Sequence, residues 1–388
     1  MIITSLLDTD FYKITMQNFA FNNFPGVEVE YTFKNRNQAI DLRPFINEIT
    51  TELNNLKKLQ FNKDEINYLE NLGFFNRAYL DFIKYFRLDP EKDIKIYSGN
   101  NNLEIIITGT WVNTILYEVP VLAIINEVYF RNTSKLNTES ANNELAKNMQ
   151  SIEDAPELKI AEFGTRRRYS KDWQKEVLTY LLNSKYKNNI VGTSNIYHAK
   201  ELGIKAIGTM AHEFIEFFQG IVALKDSQKT ALDMWIKQYR GNLGIALSDT
   251  LGIDSFLNDF DLYFAKLYDG LRHDSGDAIV WGNKVIQHYE KLGLDPKTKT
   301  LVFSDSLTIK KAVEIFNYFK DKSKISFGIG THLTNNIPEC NALNIVMKMT
   351  KCNGQPVAKI SDSPGKEICK NETYLTWLKK VFNIKQQP

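Results

Sequence analysis

Cysteine is scarce: only Cys340, Cys352 and Cys369 occur in 388 residues. No two of them have the CxxC spacing of a redox or zinc motif. Their odd number leads to the expectation of reduced thiols in a cytoplasmic protein rather than a disulfide framework. Long apolar runs are missing too, and none approaches the roughly 18 residues that a membrane span needs. Neither sign of charge is in excess. With 48 basic and 46 acidic residues the net charge is +2, which excludes the basic bias of a dedicated nucleic-acid binder. The opening MIITSLLDTDFYK has no basic region and carries Asp8 and Asp10 early, so no signal peptide is expected. No G-x-G-x-x-G follows a strand-like run, which removes the dinucleotide fingerprint. Histidine is limited to five positions, so the placement of each is informative.

What is present is enough for a large core: 43% of the residues are hydrophobic and 12% aromatic. The first 150 residues are mixed. VEVEYTFKNR (27–36) alternates like a half-buried strand, residues 41–86 have helical spacing, and NNLEIIITGTW (101–111) reads as a strand. VNTILYEVPVLAIINEVYFRN reads as a helix interrupted near Pro120. From about residue 157 a second rhythm begins, in which an apolar strand ends in a polar or glycine-rich tip and a helix follows. Seven such tips carry Arg166, Ser194, His212, Asp249, Arg272 with Asp274, Asp305, and Gly328 with Thr331. After DSGD, the residues Ala278, Trp281, Val285, Ile286, Tyr289 and Leu292 share one helical face. Seven tips are many for the single crevice of a doubly wound sheet, and polar residues at strand ends suit a barrel. The expected fold is therefore α/β, an irregular (β/α) TIM-like barrel, with the N-terminal part packed against it.

The tips suggest chemistry. In SFGIGT, Gly328 and Gly330 leave the backbone open and Thr331 adds a hydroxyl; such a turn cradles phosphate, or is simply tight. EFGTRRR sets Arg166, Arg167 and Arg168 beside a strand end, either as anion ligands or as a solvated basic turn. In LRHDSGD, Asp277 suits a helix N-terminus, whereas Asp274 sits where a carboxylate can hold Mg²⁺ or a sugar hydroxyl. Phosphate cradles, arginines and acids together point to a phosphorylated substrate with Mg²⁺. His212, in AIGTMAHEFIEFF, stands where a strand stops and a helix begins. Three readings are open for it: a core histidine, a metal ligand without an H-x-x-x-H partner, or a general base or nucleophile among phosphate binders.

LLDTDFYKITM, EFGTRRR, GTSNIYHAKELGIKAIGTMAHE, LRHDSGD, VFSDSL, SFGIGTHLT and KISDSPGK, in that order and over almost the whole chain, resemble the nicotinate phosphoribosyltransferase family. The resemblance implies a type II phosphoribosyltransferase fold, whose second mixed α+β domain is built largely from the N-terminal part. It divides the chain into residues 1–150, a barrel-like catalytic unit at 151–340, and a segment 341–388 completing the N-terminal domain. It implies a homodimer with shared active sites. It implies transfer of the phosphoribosyl group of 5-phosphoribosyl 1-pyrophosphate to nicotinate, giving nicotinate mononucleotide and pyrophosphate in NAD biosynthesis. Mg²⁺ is the implied cofactor and ATP the co-substrate, hydrolysed through a phosphohistidine at His212.

The implied roles follow residue by residue. Asp249 orients His212. Phe163 stacks on the pyridine ring, and Tyr12 covers its other face from the neighbouring subunit. Arg272 and Thr209 bind nicotinate, and Arg166 lies near substrate phosphate. Asp274 and Asp305 face the ribose, while Gly328, Gly330 and Thr331 form the 5-phosphate loop. Nicotinamide-using relatives carry aspartate where this chain has Ser194, so serine is expected to favour the acid. Glu213 is the weaker candidate partner for His212, His273 and His332 receive no role, and Arg167 and Arg168 are left unranked. The alternatives are a nicotinamide phosphoribosyltransferase or a non-catalytic phosphosugar-binding protein. A quinolinate phosphoribosyltransferase would need a further basic cluster and no such histidine.

Overall fold

Period-two alternation builds one sheet, and short apolar runs build the other. In β1 (Glu28–Asn35), Val29, Tyr31 and Phe33 are buried and the residues between them are not, the pattern of a half-buried strand. The computed structural model describes residues 1–100, 102–338, 340–362, 369 and 371–384. The other strands are β2 (Ile94–Ser98), β3 (Leu103–Thr110), β4 (Ile160–Glu162), β5 (Ile190–Thr193), β6 (Ile245–Leu247), β7 (Gly270–His273), β8 (Thr300–Phe303), β9 (Lys324–Ile329), β10 (Ile345–Cys352) and β11 (Gln355–Pro356).

Five strands form an antiparallel sheet in the order β11-β10-β1-β3-β2, and six form a parallel sheet in the order β5-β4-β9-β8-β7-β6. In the antiparallel sheet β10 runs beside β1 from Val29↔Cys352 to Asn35↔Ile345, so the two ends of the chain share it. The parallel strands are short, and helices follow them. The helix Ala278–Lys291 starts where the Asp277 side chain accepts the Val280 N–H at 2.8 Å. It buries Ala278, Trp281, Val285, Ile286 and Tyr289, as its spacing predicts.

Two expectations are corrected here. The first concerns the strand before His212. Among the described residues only an isolated bridge, Thr193↔Ala206, stands where a seventh strand was expected. The helix Phe11–Asn23 lies against this segment: a Cβ on Gly208 would come within 3.0 Å of the Tyr12 nitrogen. The Thr15 hydroxyl donates to the Thr209 carbonyl at 2.8 Å. Residues 205–207 thus pair only with Thr193, the Thr209 carbonyl goes to the N-terminal helix, and the ladder does not close into a continuous ring between β5 and β6. The second concerns Pro120. The break falls earlier, in the 3₁₀ turn Ile115–Tyr117, and Pro120 lies in the first turn of the helix Glu118–Thr133. Its missing N–H has no intrahelical partner there to lose.

None of the three cysteines forms a disulfide. No helix of the described residues is long and apolar enough to cross a membrane. Of KISDSPGK, residues 359–362 are described and 363–366 lie outside the described residues.

Candidate active site

The ends of the parallel strands open on a cavity of about 450 Å³. The tip after β4 contributes Phe163, Arg166 and Arg167, and the tip after β5 contributes Ser194. Arg272 and Asp274 come from β7 and its tip, Asp305 from the tip after β8, and Gly330 and Thr331 from the tip after β9. The antiparallel sheet closes the far side with Arg36, Asn344 and Lys348.

A buried polar lattice fixes these tips. Glu162 accepts from the Gly164 N–H, from the Thr193 hydroxyl at 2.5 Å and from Gln174 Nε2 at 3.0 Å. Asn195 Nδ2 donates to Asp8 Oδ1 at 2.8 Å, and Arg168 grips both Asp8 oxygens at 2.6 and 2.9 Å. Arg168 is fully buried and structural, which separates it from Arg167 on the cavity wall. Burial, then the neighbouring Arg166 and Arg36, push Arg167 down to about 10. Such crowded guanidinium groups await an anion.

At the base of the cavity His212 Nε2 lies 2.9 Å from Asp249 Oδ1 and 3.5 Å from Asp274 Oδ2. The other oxygen, Asp249 Oδ2, takes the Lys359 ammonium at 2.8 Å and the Ser275 hydroxyl at 2.5 Å. Burial opposes ionisation of Asp249, but Lys359 and His212 outweigh it and hold the carboxyl well below its usual range. An ionised carboxylate only accepts, so Nε2 carries the proton and Nδ1 keeps its lone pair. Burial and then Lys359 push His212 down to about 4, against the pull of Asp249. The imidazole is therefore neutral at pH 7, as a nucleophile must be.

Ligand atoms of His212, Asp249 and Asp274 lie within 4.8 Å of one another, a spacing that suits a metal. Lys359 already sits on Asp249 as its counter-cation. Asp274 and Asp305 are among the carboxylates that line the cavity, and oxygen donors of this kind suit a hard divalent ion.

Comparison with known proteins agrees with this geometry. The model of the nicotinate phosphoribosyltransferase (NAPRTase) family matches residues 158–386, and that of its N-terminal domain matches residues 7–126. Nicotinate phosphoribosyltransferase of Xylella fastidiosa (strain Temecula1) is 48% identical, over 99% of this chain and 98% of the relative. That of Acidovorax sp. (strain JS42) is 48% identical over 99% of both chains. A crystal structure of nicotinate phosphoribosyltransferase from Vibrio cholerae superposes with a TM-score of 0.95 at 38% identity, covering 100% of this chain and 95% of the other. The chain belongs to the nicotinate phosphoribosyltransferase family.

It is thus an enzyme of the phosphoribosyltransferase class, and its own geometry adjusts several roles that the family resemblance implied. Tyr12 lines the cavity of its own chain. The reason is local: the Phe11 N–H donates to the Ser194 carbonyl at 2.7 Å, and Asp10 bridges Asn195, so the helix start is stitched to the parallel sheet. Arg166 Cζ stands 5.9 Å from the Tyr12 ring centroid. The Thr209 hydroxyl does not reach the cavity; it donates to the Ile245 carbonyl at 2.8 Å. Gly328 lies under the Phe163 ring rather than on the cavity wall, since a Cβ there would fall 2.3 Å from the ring carbons. Glu213 is held by Lys13 Nζ at 2.8 Å, which leaves Asp249 as the partner of His212. His273 packs against Trp281 and Phe303 as a core residue, while His332 reaches the wall.

Ser194 does not leave its corner free of carboxylate. Its hydroxyl donates to Asp10 Oδ1 at 2.6 Å, and Arg166 Nε lies 3.4 Å from Asp10 Oδ2. Sequence reasoning missed Asp10, Arg36, Glu118, Glu216, Lys348 and Lys359 on this wall. Asp10 and Lys359 lie inside quoted motifs, LLDTDFYK and KISDSPGK. Glu216 lies one turn after His212 in AIGTMAHEFIEFF, whereas Arg36, Glu118 and Lys348 carry no local signal, because the antiparallel sheet and the helix Glu118–Thr133 bring them in from far along the chain.

Proposed function

We propose that the chain transfers the 5-phosphoribosyl group of 5-phosphoribosyl 1-pyrophosphate to nicotinate, forming nicotinate mononucleotide for NAD biosynthesis, with ATP hydrolysis coupled through His212. The observation that carries the reading is a buried neutral imidazole, ordered by Asp249 at 2.9 Å, facing a cavity lined by arginines and acids. A protein that only bound phosphosugars would have no use for such a histidine.

The pyridine nitrogen attacks C1 as the C1–O bond breaks, and the electron pair leaves with pyrophosphate. Phe163 and Tyr12 offer aromatic faces to the ring. Arg272, whose Nε is buried without a partner, answers the nicotinate carboxylate. Asp274 and Asp305 stabilise the positive charge that gathers on C1. They would also hold Mg²⁺, which when bound neutralises the pyrophosphate charge. Gly330, Thr331, Arg166 and Arg167 serve the phosphates. In the ATP step the lone pair of His212 Nδ1 attacks the terminal phosphorus, ADP leaves with the P–O electron pair, and water later removes the phosphoryl group.

In the same reading the parallel sheet is the core of an irregular barrel-like unit, with boundaries near residues 150 and 340, and the protein works in the cytoplasm. In this reading the protein is a homodimer with shared active sites, and Tyr12 lines the cavity of its own chain. One observation favours the amide as the alternative substrate: Asp10 can accept from an amide NH₂. Arg166 beside it, and Arg272, favour the acid.

The test is product formation from 5-phosphoribosyl 1-pyrophosphate and Mg²⁺, with nicotinate or nicotinamide, with and without ATP. Nicotinate mononucleotide, boosted by ATP, is expected. Product from nicotinamide alone would shift the reading to the amide. No product from either would leave a binding protein.

A further inference from the structure

Glu216 is a buried acid that this mechanism leaves unused. It stands one turn after His212 on the helix His212–Gln219, so the two side chains share a face, and both line the cavity. Glu216 is 1% exposed, and its Oε2 has no hydrogen-bond partner. A buried carboxylate without donors is unfavourable, and such a group resists ionisation. Lys348 of β10 lines the same cavity, and no ion pair ties its ammonium to a described carboxylate.

The charged groups around Glu216 are Lys348 from β10, Lys359 from the segment after β11, Glu213 from its own helix and Glu118 from the helix Glu118–Thr133. Burial, aided by the two glutamates and opposed by the two lysines, pushes Glu216 up to about 7. Lys348 in turn is pushed down by burial, against the pull of Glu118 and Glu216.

We propose that Glu216 and a phosphate-bearing ligand compete for the Lys348 ammonium, so that polyphosphate binding is linked to uptake of one proton by Glu216. Protonated, Glu216 leaves Lys348 to the anion. Ionised, it claims the ammonium and adds negative charge to the wall. Polyphosphate affinity then falls as pH rises through neutrality. The inference rests on reading the cavity as a site for phosphorylated ligands.

The probe is inorganic pyrophosphate at fixed Mg²⁺, titrated calorimetrically into the wild type and Glu216→Gln. Pyrophosphate's own titration is common to both proteins and cancels in the ratio of their Kd values. Between about pH 6 and about pH 8, that ratio should change about tenfold, with the wild type losing affinity. Lys348→Met is the second variant, expected to bind weakly at the lower pH and to follow the pH profile of Glu216→Gln. If both wild type and Glu216→Gln bind with a constant ratio, the linkage is wrong and the phosphate reading stands. If neither binds pyrophosphate, both fall.

Discussion

His212 stays neutral because its surroundings refuse it a second proton. Burial and the Lys359 ammonium outweigh Asp249 and push it down to about 4, while Asp249 remains ionised and fixes the proton on Nε2. Asp249 acts as a positioning residue, and Asp249→Asn tests that. An asparagine amide that donates to Nε2 would place the proton on Nδ1 and block the attacking lone pair. ATP-coupled turnover should fall by about two to four orders of magnitude, as for other histidines held in the wrong tautomer. Catalysis uncoupled from ATP should fall far less, and equal losses in both assays would contradict the role. The histidine itself is legible in GTMAHE because so few histidines exist and this one follows a strand tip. The counter-cation of Asp249 is not, since Lys359 lies far along the chain and only the fold brings it to the carboxylate.

β4 and β9 are neighbours, and Ala161 pairs with Gly328, so a glycine on one strand makes room for the aromatic that follows the other. Gly328→Ala puts a methyl 2.3 Å from the Phe163 ring. The ring must swing into the cavity. Overpacking of this kind costs about 1–3 kcal/mol, and KM for the pyridine substrate should rise about tenfold or more. An unchanged KM would show that Phe163 does not face that substrate. The glycine was legible as important but for another reason, since sequence reasoning put it in a phosphate turn and the strand pairing puts it under a ring. The strand patterns at 28–35 and 103–110 and the helix after DSGD were legible because period and caps are local signals. The shortness of the pairing before His212, a single bridge to Thr193, was not, because the helix Phe11–Asn23 that packs on Gly208 and Thr209 is a tertiary partner that no window around residue 206 contains.

The whole molecule is joined by the buried lattice running from Asp8 through Arg168 and Asn195 to Glu162. His198 lies beside it, fully buried, with neither ring nitrogen hydrogen-bonded. Burial, against the attraction of Asp8, pushes His198 down to about 3. Its folded value is below its unfolded one, so the unfolded chain binds the extra proton first. The stability it contributes is complete above about pH 6.5 and is lost as pH falls toward the folded value. His198→Leu removes this term. Relative to wild type, the variant should gain about 2 kcal/mol in denaturant unfolding between about pH 7 and about pH 5. A difference that stays constant over that range would mean that His198 can charge within the folded protein.

The most direct test of the account is transfer of label from ATP carrying a labelled terminal phosphate to the wild type and to His212→Asn. Acid-labile, base-stable phosphate is expected on the wild-type protein, reduced in Asp249→Asn and absent from His212→Asn. Label that survives acid, or that His212→Asn still takes up, would contradict it.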